Sequence, residues 1–218
     1  MSRYYKILPK DLNCMGFQYY EGLNIDTNKI DAGKCGYGLH FADTEHILSF
    51  CNYGSMIAEV EIPEDAIVYH FDDKSKADRI ILKNIRPFWS VETMGALILE
   101  GVNFESCKND IIYKALSNGY PDVAKYLIEH EVNTLEDYDR ALLSACECGY
   151  LDVIKYLIEQ GADIHILDDC ALYLASSNGH LDIVKYLVEH GADVHADNDS
   201  AIRYAETPEI EAYLKSIK

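Results

Sequence analysis

The sequence predicts a chain in two parts: a small α+β domain over residues 1–88, then a helical solenoid over 89–218. Three observations carry this. From about residue 89 the chain aligns with itself at a shift of 30 residues. Before that point apolar residues fall in strand-length runs and do not repeat. And 49% of the 218 residues are apolar, enough to give each part a core.

Composition narrows the function classes. No run approaches the ~18 apolar residues of a membrane span. The opening "MSRYYKILPKDLN" has no apolar stretch of signal-peptide length. A soluble cytoplasmic protein without a membrane partner is expected. The formal charge is −18, from 37 acids against 19 bases, and from Phe104 onward 22 acids stand against 9 bases. Such a surface repels phosphate backbones, so the solenoid is not expected to bind nucleic acid. A protein partner, itself basic, suits it. The seven cysteines are irregularly spaced and odd in number, which fits free thiols in a reducing compartment. Cys146 and Cys148 have a single residue between them, which matches no usual zinc-ligand spacing, and no second pair answers them; Cys146 is read as a small apolar filler. No phosphate loop and no G-x-S-x-G elbow is present. The chain is therefore read as non-enzymatic, with no cofactor and no metal.

In chain order, the first part offers strand-like segments at Tyr4–Pro9, Gly36–Ala42, Ser55–Pro63, Ala66–Phe71 and Arg79–Arg86. "AEVEI" alternates apolar with polar, the pattern of a half-buried strand. "DTEHILSFCNYG" reads as a short helix capped by Asp43 or Thr44 and stopped by Gly54.

The second part reads as a degenerate unit over 89–107, three units near 108–137, 138–167 and 168–197, and a C-terminal cap over 198–218. Ala115, Ala145, Ala175 and Ala205 share one column of the self-alignment, and Leu127, Leu157 and Leu187 another. Each unit is expected to be two short antiparallel helices. The first stops at a glycine such as Gly179, which allows the tight turn. In the second, Asp182 sits at the positive end of the helix dipole, and Ile183, Val184, Leu187 and Val188 fall on one face. Lys185 and Glu189 are spaced for an i,i+4 pair, and Gly191 follows the helix end. One such pair cannot bury its apolar face alone, so neighbours must stack. At the end, Thr207 is the expected N-cap, with Pro208 at the first helical position and Lys215 and Lys218 near the C-terminus. His165 and His195 share a column, so repetition explains them without a metal.

"CALYLASSNGH…YLVEHGADVH" resembles the ankyrin-repeat pattern, TPLHxAAxxGH followed by a second helix ending in LLxxGADVN. The resemblance covers about residues 90–218 and implies binding of a protein partner through the inner helices and the β-hairpin fingers. The chain departs from the family in period, 30 residues against about 33. The deficit falls where the finger should be, leaving only "ILDD" at Ile166–Asp169. Blunt fingers are therefore expected. By position in the repeat, the resemblance implies Ser117, Glu147 and Ser177 as binding positions. Beside them stand the finger remnants Asp137, Tyr138, Asp139, Asp168, Asp169, Asn198 and Asp199. Tyr113, Leu143 and Tyr173 on the first helices are candidate anchors.

The first part has "GLHFADTEHILSFCNYG", "AEVEIPEDA" and "KADRIILKN". It resembles the module that precedes ankyrin repeats in giant-virus, mimivirus-type proteins, which would put the chain in a host cell's cytoplasm. "GYGLHFAD" is also similar to the "GKGIYFAD" segment of poly-ADP-ribose polymerase catalytic domains. That likeness implies an alternative, an NAD-handling site or its inactive relic around Gly38 and His40. The chain departs from it too: no histidine precedes His40, and Glu59 and Glu61 lie away from the family's late catalytic glutamate.

Overall fold

The computed structural model describes residues 3–28, 30, 33, 38–105, 107–131 and 134–217. The chain forms two compact units, Met1–Cys107 and Lys108–Lys218.

The described residues of the first unit contain strands β1 (Tyr4–Leu8), β2 (Asn13–Cys14), β3 (Phe17–Gln18), β4 (Gly22–Ile25), β5 (Leu39–Asp43), β6 (Met56–Glu61), β7 (Val68–His70), β8 (Ser75–Ala77) and β9 (Arg79–Pro87). Seven of them make one antiparallel sheet in the order β4-β9-β6-β1-β5-β8-β7, while β2 and β3 pair as a separate hairpin. Central β1 is buried on both faces. On one face Leu8, Leu39, Phe41, Ala58, Val60, Ala77, Ile80 and Leu82 form an apolar cluster, closed by Tyr19 with Leu12, Cys14 and Phe17. Helix α1 (Val91–Leu99) is capped by Ser90, whose hydroxyl accepts the Thr93 N–H, and it buries Met94 and Leu97. The Tyr5 hydroxyl donates to Glu100 just past the helix end, at 2.7 Å. The segment where the repeat register begins in the sequence thus lies in the first unit.

The five expected strands are present, with the Gly36 and Tyr37 portion of one lying outside the described residues. β2, β3, β4 and β8 were not expected; two to four residues are too few to display a period. The expected helix after Asp43 is a 3-10 helix, Ile47–Tyr53, without a side-chain cap. Asp43 instead accepts the N–H groups of Glu45 and His46, at 3.1 Å each, in the turn before it. Gly54 ends the segment for steric reasons: a β-carbon there would lie 2.0 Å from the Leu8 carbonyl oxygen.

The regular elements among the described residues of the second unit are all helices: α2 (Lys108–Ser117), α3 (Pro121–Glu131), α4 (Leu135–Cys148), α5 (Leu151–Glu159), α6 (Ile166–Ser177), α7 (Leu181–Glu189), α8 (Ala196–Arg203) and α9 (Pro208–Ser216). The even-numbered helices pack on one another in sequence, α2 on α4 on α6 on α8, and each carries its following helix on the other side. This is a row of pairs, not a bundle around one centre. The alanine column explains the close approach of the inner helices: Ala115, Ala145 and Ala175 are wholly buried. Leu127, Leu157 and Leu187 fill the space between the two layers, and Cys146 is buried among the inner helices as a filler. Thr207 caps α9 as expected, accepting the Ile210 N–H, with Pro208 in the first turn. Lys215 pairs with Glu211; Lys218 lies outside the described residues.

Neighbouring units are locked at the helix ends. Gly149 closes α4 in the left-handed region at φ 86°. The His180 ring of the next unit comes to within 2.6 Å of where a side chain's first carbon would stand, and its Nε2 donates to the Glu147 carbonyl at 3.0 Å. Gly191, at φ 104°, has nothing within 4 Å of that point. Alanine at Gly191 is therefore expected to cost only the backbone strain, about 1 kcal/mol. Alanine at Gly149 is expected to cost about 2–3 kcal/mol, because His180 must also be displaced. Thermal or urea unfolding of the two variants checks the ranking.

Candidate functional site

The ridge where ankyrin fingers would project is formed by two short backbone devices. Leu167, Asp168 and Asp169 occupy the left-handed region in succession, as do Asp197, Asn198 and Asp199. Aspartate and asparagine adopt this conformation with least strain because their short polar side chains bond locally, whereas leucine there costs roughly 1–2 kcal/mol. The chain turns into α6 and α8 through these twists, without a β-hairpin. At α4 there is no such twist: Thr134 caps the helix by accepting the Asp137 N–H. Asp137, Tyr138 and Asp139, expected as finger remnants, are instead residues of α4, with Asp137 in its first turn.

A recurrent aspartate ties each loop to the next. Asp139 accepts the Asp163 N–H at 2.6 Å, and Asp169 accepts the Asp193 N–H at 3.0 Å. The His165 ring meets Asp169 at 3.0 Å, and His195 meets Asp199 at 2.7 Å. Two expected partner-binding residues are therefore committed inside the fold. Asp169 is buried under these bonds. Asp137 is buried against the Lys108 ammonium at 2.8 Å, the Thr134 hydroxyl at 2.6 Å and the Asn109 amide at 3.3 Å. Burial opposes the ionisation of Asp137, but those bonds outweigh it and hold the carboxyl below its ordinary range.

The other expected residues lie on the inner helices and ridge. Tyr113 is exposed and its hydroxyl donates to Glu147 at 3.4 Å, joining two successive inner helices. The Glu147 carboxylate, with some help from burial, pushes the Tyr113 phenol up. Tyr173 meets Tyr204 edge-on at 5.9 Å. Leu143 and Tyr138 are half-buried, and Ser117 and Ser177 bond carbonyls of their own helices. Asp168, Asn198 and Asp199 are exposed. The structure thus brings Tyr113 to Glu147 across one step of the stack, and Tyr173 to a residue not anticipated. Tyr204 occupies the repeat column of Leu174, where an aromatic reads as core. Leu167, 71% exposed, and Asp197, also exposed, went unnoticed because "ILDD" looked like spare turn.

The outer helices show a different pattern. The ammonium groups of Lys125, Lys155 and Lys185 stand over the rings of Tyr156, Tyr186 and Tyr213 in the following unit, at 5.3, 5.8 and 5.7 Å. Burial and then the carboxylates of Glu129, Glu159 and Glu189 push those phenols up. Lys185, expected to pair with Glu189, takes Tyr213 instead.

In the first unit the "GLHFAD" segment is β5. Gly38, at φ 123°, has Ile30 and Lys76 at 3.1–3.2 Å from a would-be β-carbon. Its N–H donates to Asp26 at 2.9 Å. Leu39 and Phe41 are core, and the His40 carbonyl accepts from the Lys6 ammonium at 2.7 Å. Leu39, Phe41 and Ala42 are buried, while Gly38, His40 and Asp43 are half-buried. Among the described residues no helix is long and apolar enough to cross a membrane.

Comparison with known families agrees with this architecture. Residues 2–94 match a model described as a domain of unknown function, DUF7666. Residues 90–168 match a model of three ankyrin repeats, and 168–199 a single-repeat model. Three ankyrin repeat proteins of Acanthamoeba polyphaga mimivirus are similar. The first is 29% identical over 139 residues, covering 60% of this chain and 68% of the relative. The second is 30% identical over 132 residues, 56% of this chain and 34% of the relative. The third is 29% identical over 137 residues, 59% of this chain and 41% of the relative. The chain therefore spans less than half the length of two of them. Stacked ankyrin repeats are protein–protein interaction modules, offering an extended surface that a partner can follow. Repeat models match residues 90–199, half the chain, and from Lys108 onward its helix pairs stack as such repeats do: the chain belongs to the ankyrin-repeat family.

Proposed function

We propose that the second unit binds a basic protein along its ridge and inner helices, acting as a non-enzymatic scaffold in the cytoplasm. The observation that carries this is the charge of the ridge. The stretches 161–169 and 191–199 hold six aspartates and no lysine or arginine. Of these, Asp168 and Asp197 are exposed and enter no ion pair. Leu167, next to Asp168 in the chain, presents apolar surface to solvent, as do Tyr113 on α2 and Tyr204 at the end of α8. The expected anchors Tyr113, Leu143 and Tyr173 lie on the inner helices, with Ser117, Glu147 and Ser177 at their ends. The acids set on-rate and partner choice, and the aromatic and aliphatic anchors supply most of the affinity. Asp139 and Asp199 hold the loops while leaving part of their charge at the surface. Nucleic acid and membrane are not the partners of such a face, since both carry negative charge.

The relatives are proteins of an Acanthamoeba virus, so amoebal lysate is the natural source of partner. The wild-type chain is expected to retain a partner from it, less at high salt. The double variant Glu147→Lys plus Asp168→Lys is expected to lose at least about tenfold in affinity. Undiminished binding by a folded double variant overturns the acidic-face reading. A second comparison separates charge from architecture. Asp168→Asn is expected to leave stability within about 0.5 kcal/mol. Asp169→Ala is expected to cost about 1–2 kcal/mol, since the Asp193 N–H loses its acceptor. Denaturant midpoints of the two variants test this ordering.

A further inference from the structure

Lys6 is a buried cation of the first unit. It stands on the central strand β1, 7% exposed, opposite Ala58 on β6. Its ammonium has one hydrogen bond, to the His40 carbonyl at 2.7 Å, and lies 4.6 Å from the centre of the Tyr19 ring. Among the described residues no carboxylate pairs with it. The carbonyl and the Tyr19 ring face offset only part of the cost of burying this charge, so the charge opposes the packing around it.

What covers Lys6 is the segment 11–20. It carries the hairpin of β2 and β3, which is not part of the seven-stranded sheet. Residues 11–19 hydrogen-bond one another and, through the Leu12 N–H, the Pro9 carbonyl; only at Tyr20 does the segment bond the sheet, through the Asn24 side chain. It is held down by the apolar contacts of Leu12, Phe17 and Tyr19. Its tip, Met15, is wholly exposed.

We propose that residues 11–20 form a lid over the apolar face of the sheet, and that the charge of Lys6 opposes its closure, so that loss of that proton tightens the lid. The groups facing Lys6 from the elements around it are the Cys14 thiol on β2 and the Tyr19 phenol, with the Asp26 carboxylate acting on Tyr19. Burial pushes the Lys6 ammonium down from 10.5 to about 8, with Cys14 acting weakly the other way. The closed state therefore binds the proton less tightly than an open state in which Lys6 meets water. Opening is then insensitive to pH well below 8, and it falls as pH rises from about 8 toward 10.5.

Hydrogen exchange of the full chain, corrected for the intrinsic pH dependence of exchange, tests this. With those two values, the opening equilibrium of residues 11–20 is expected to fall about tenfold between pH 6 and pH 9. Peptides from β6 and β9 are expected not to follow. In Lys6→Met, opening is expected to be independent of pH and lower than wild type at both pH values, the gap being about tenfold smaller at pH 9 than at pH 6. Lys6→Arg, which keeps its charge throughout, is expected to stay open to the same degree at both. The proposal is overturned if wild-type opening does not change with pH. It is overturned equally if either variant keeps the tenfold change, or if β6 and β9 follow the lid.

Discussion

The second unit depends on a single constraint: a short helix pair exposes more apolar surface than it can bury by itself. Ile183, Val184 and Leu187 on α7 are wholly buried only because the neighbouring pairs stand on both sides. The side chains at each junction follow from this. An alanine column lets inner helices come close, and a leucine column fills the gap behind it. Ser176, in the column that holds Cys146 one unit earlier, donates to the Ala201 carbonyl at 2.6 Å and so satisfies a helix end that the stack has buried. The terminal pair solves the same problem with a wetter exterior, where Glu209 and Glu211 stand in the first turn of α9 and Lys215 in the last.

Polar groups follow the same logic, which is why the acids of this unit do not form one class. Asp139 and Asp169 accept an N–H 24 residues on, and they give the loops a fixed spacing that the shortened fingers cannot supply. Asp137 neutralises Lys108 inside the stack. Asp168 and Asp197 do neither. Net charge alone treats all of them as one acidic face; the hydrogen bonds divide them into a structural set and a free set, and only the free set is available to set partner choice.

The repeat itself was legible because its signal is redundancy: a column of alanines or leucines recurring at 30 residues needs no propensity scale. The loops were legible only in length. A deficit in period revealed that fingers were missing, but three successive left-handed residues have no sequence signature beyond an excess of Asp and Asn, and Leu167 breaks even that. Lys185 and Glu189 show the limit of local spacing. On an isolated helix they would pair, yet the next unit presents Tyr213, whose ring face offers a better-shielded site for the ammonium. In the first unit the long strands declared themselves by alternation, while β2, β3, β4 and β8 were too short to do so. Lys6 sat in "YYKIL" as an ordinary polar position of a half-exposed strand, and nothing in the sequence indicated that Tyr19 would fold over it.

The distribution of cations gives the acidic ridge its meaning. On the outer helices, Lys125, Lys155 and Lys185 recur with Glu129, Glu159 and Glu189 one turn later, and a tyrosine of the next unit lies against each set. On that face every lysine has a ring and a nearby carboxylate, yet α3, α5 and α7 together carry seven acids against these three lysines. Of the remaining cations, Lys108 is spent on Asp137, Arg140 on Glu136 and Arg203 on the ring of Tyr204. The six ridge aspartates face no lysine or arginine within their own segments. Both faces are therefore net acidic; the ridge differs in having exposed aspartates, Asp168 and Asp197, outside any ion pair. Screening confines the field of those aspartates to about 8 Å at physiological salt, so in the proposed complex it orients the partner only at close approach, the range at which the exposed Leu167 beside Asp168 also acts.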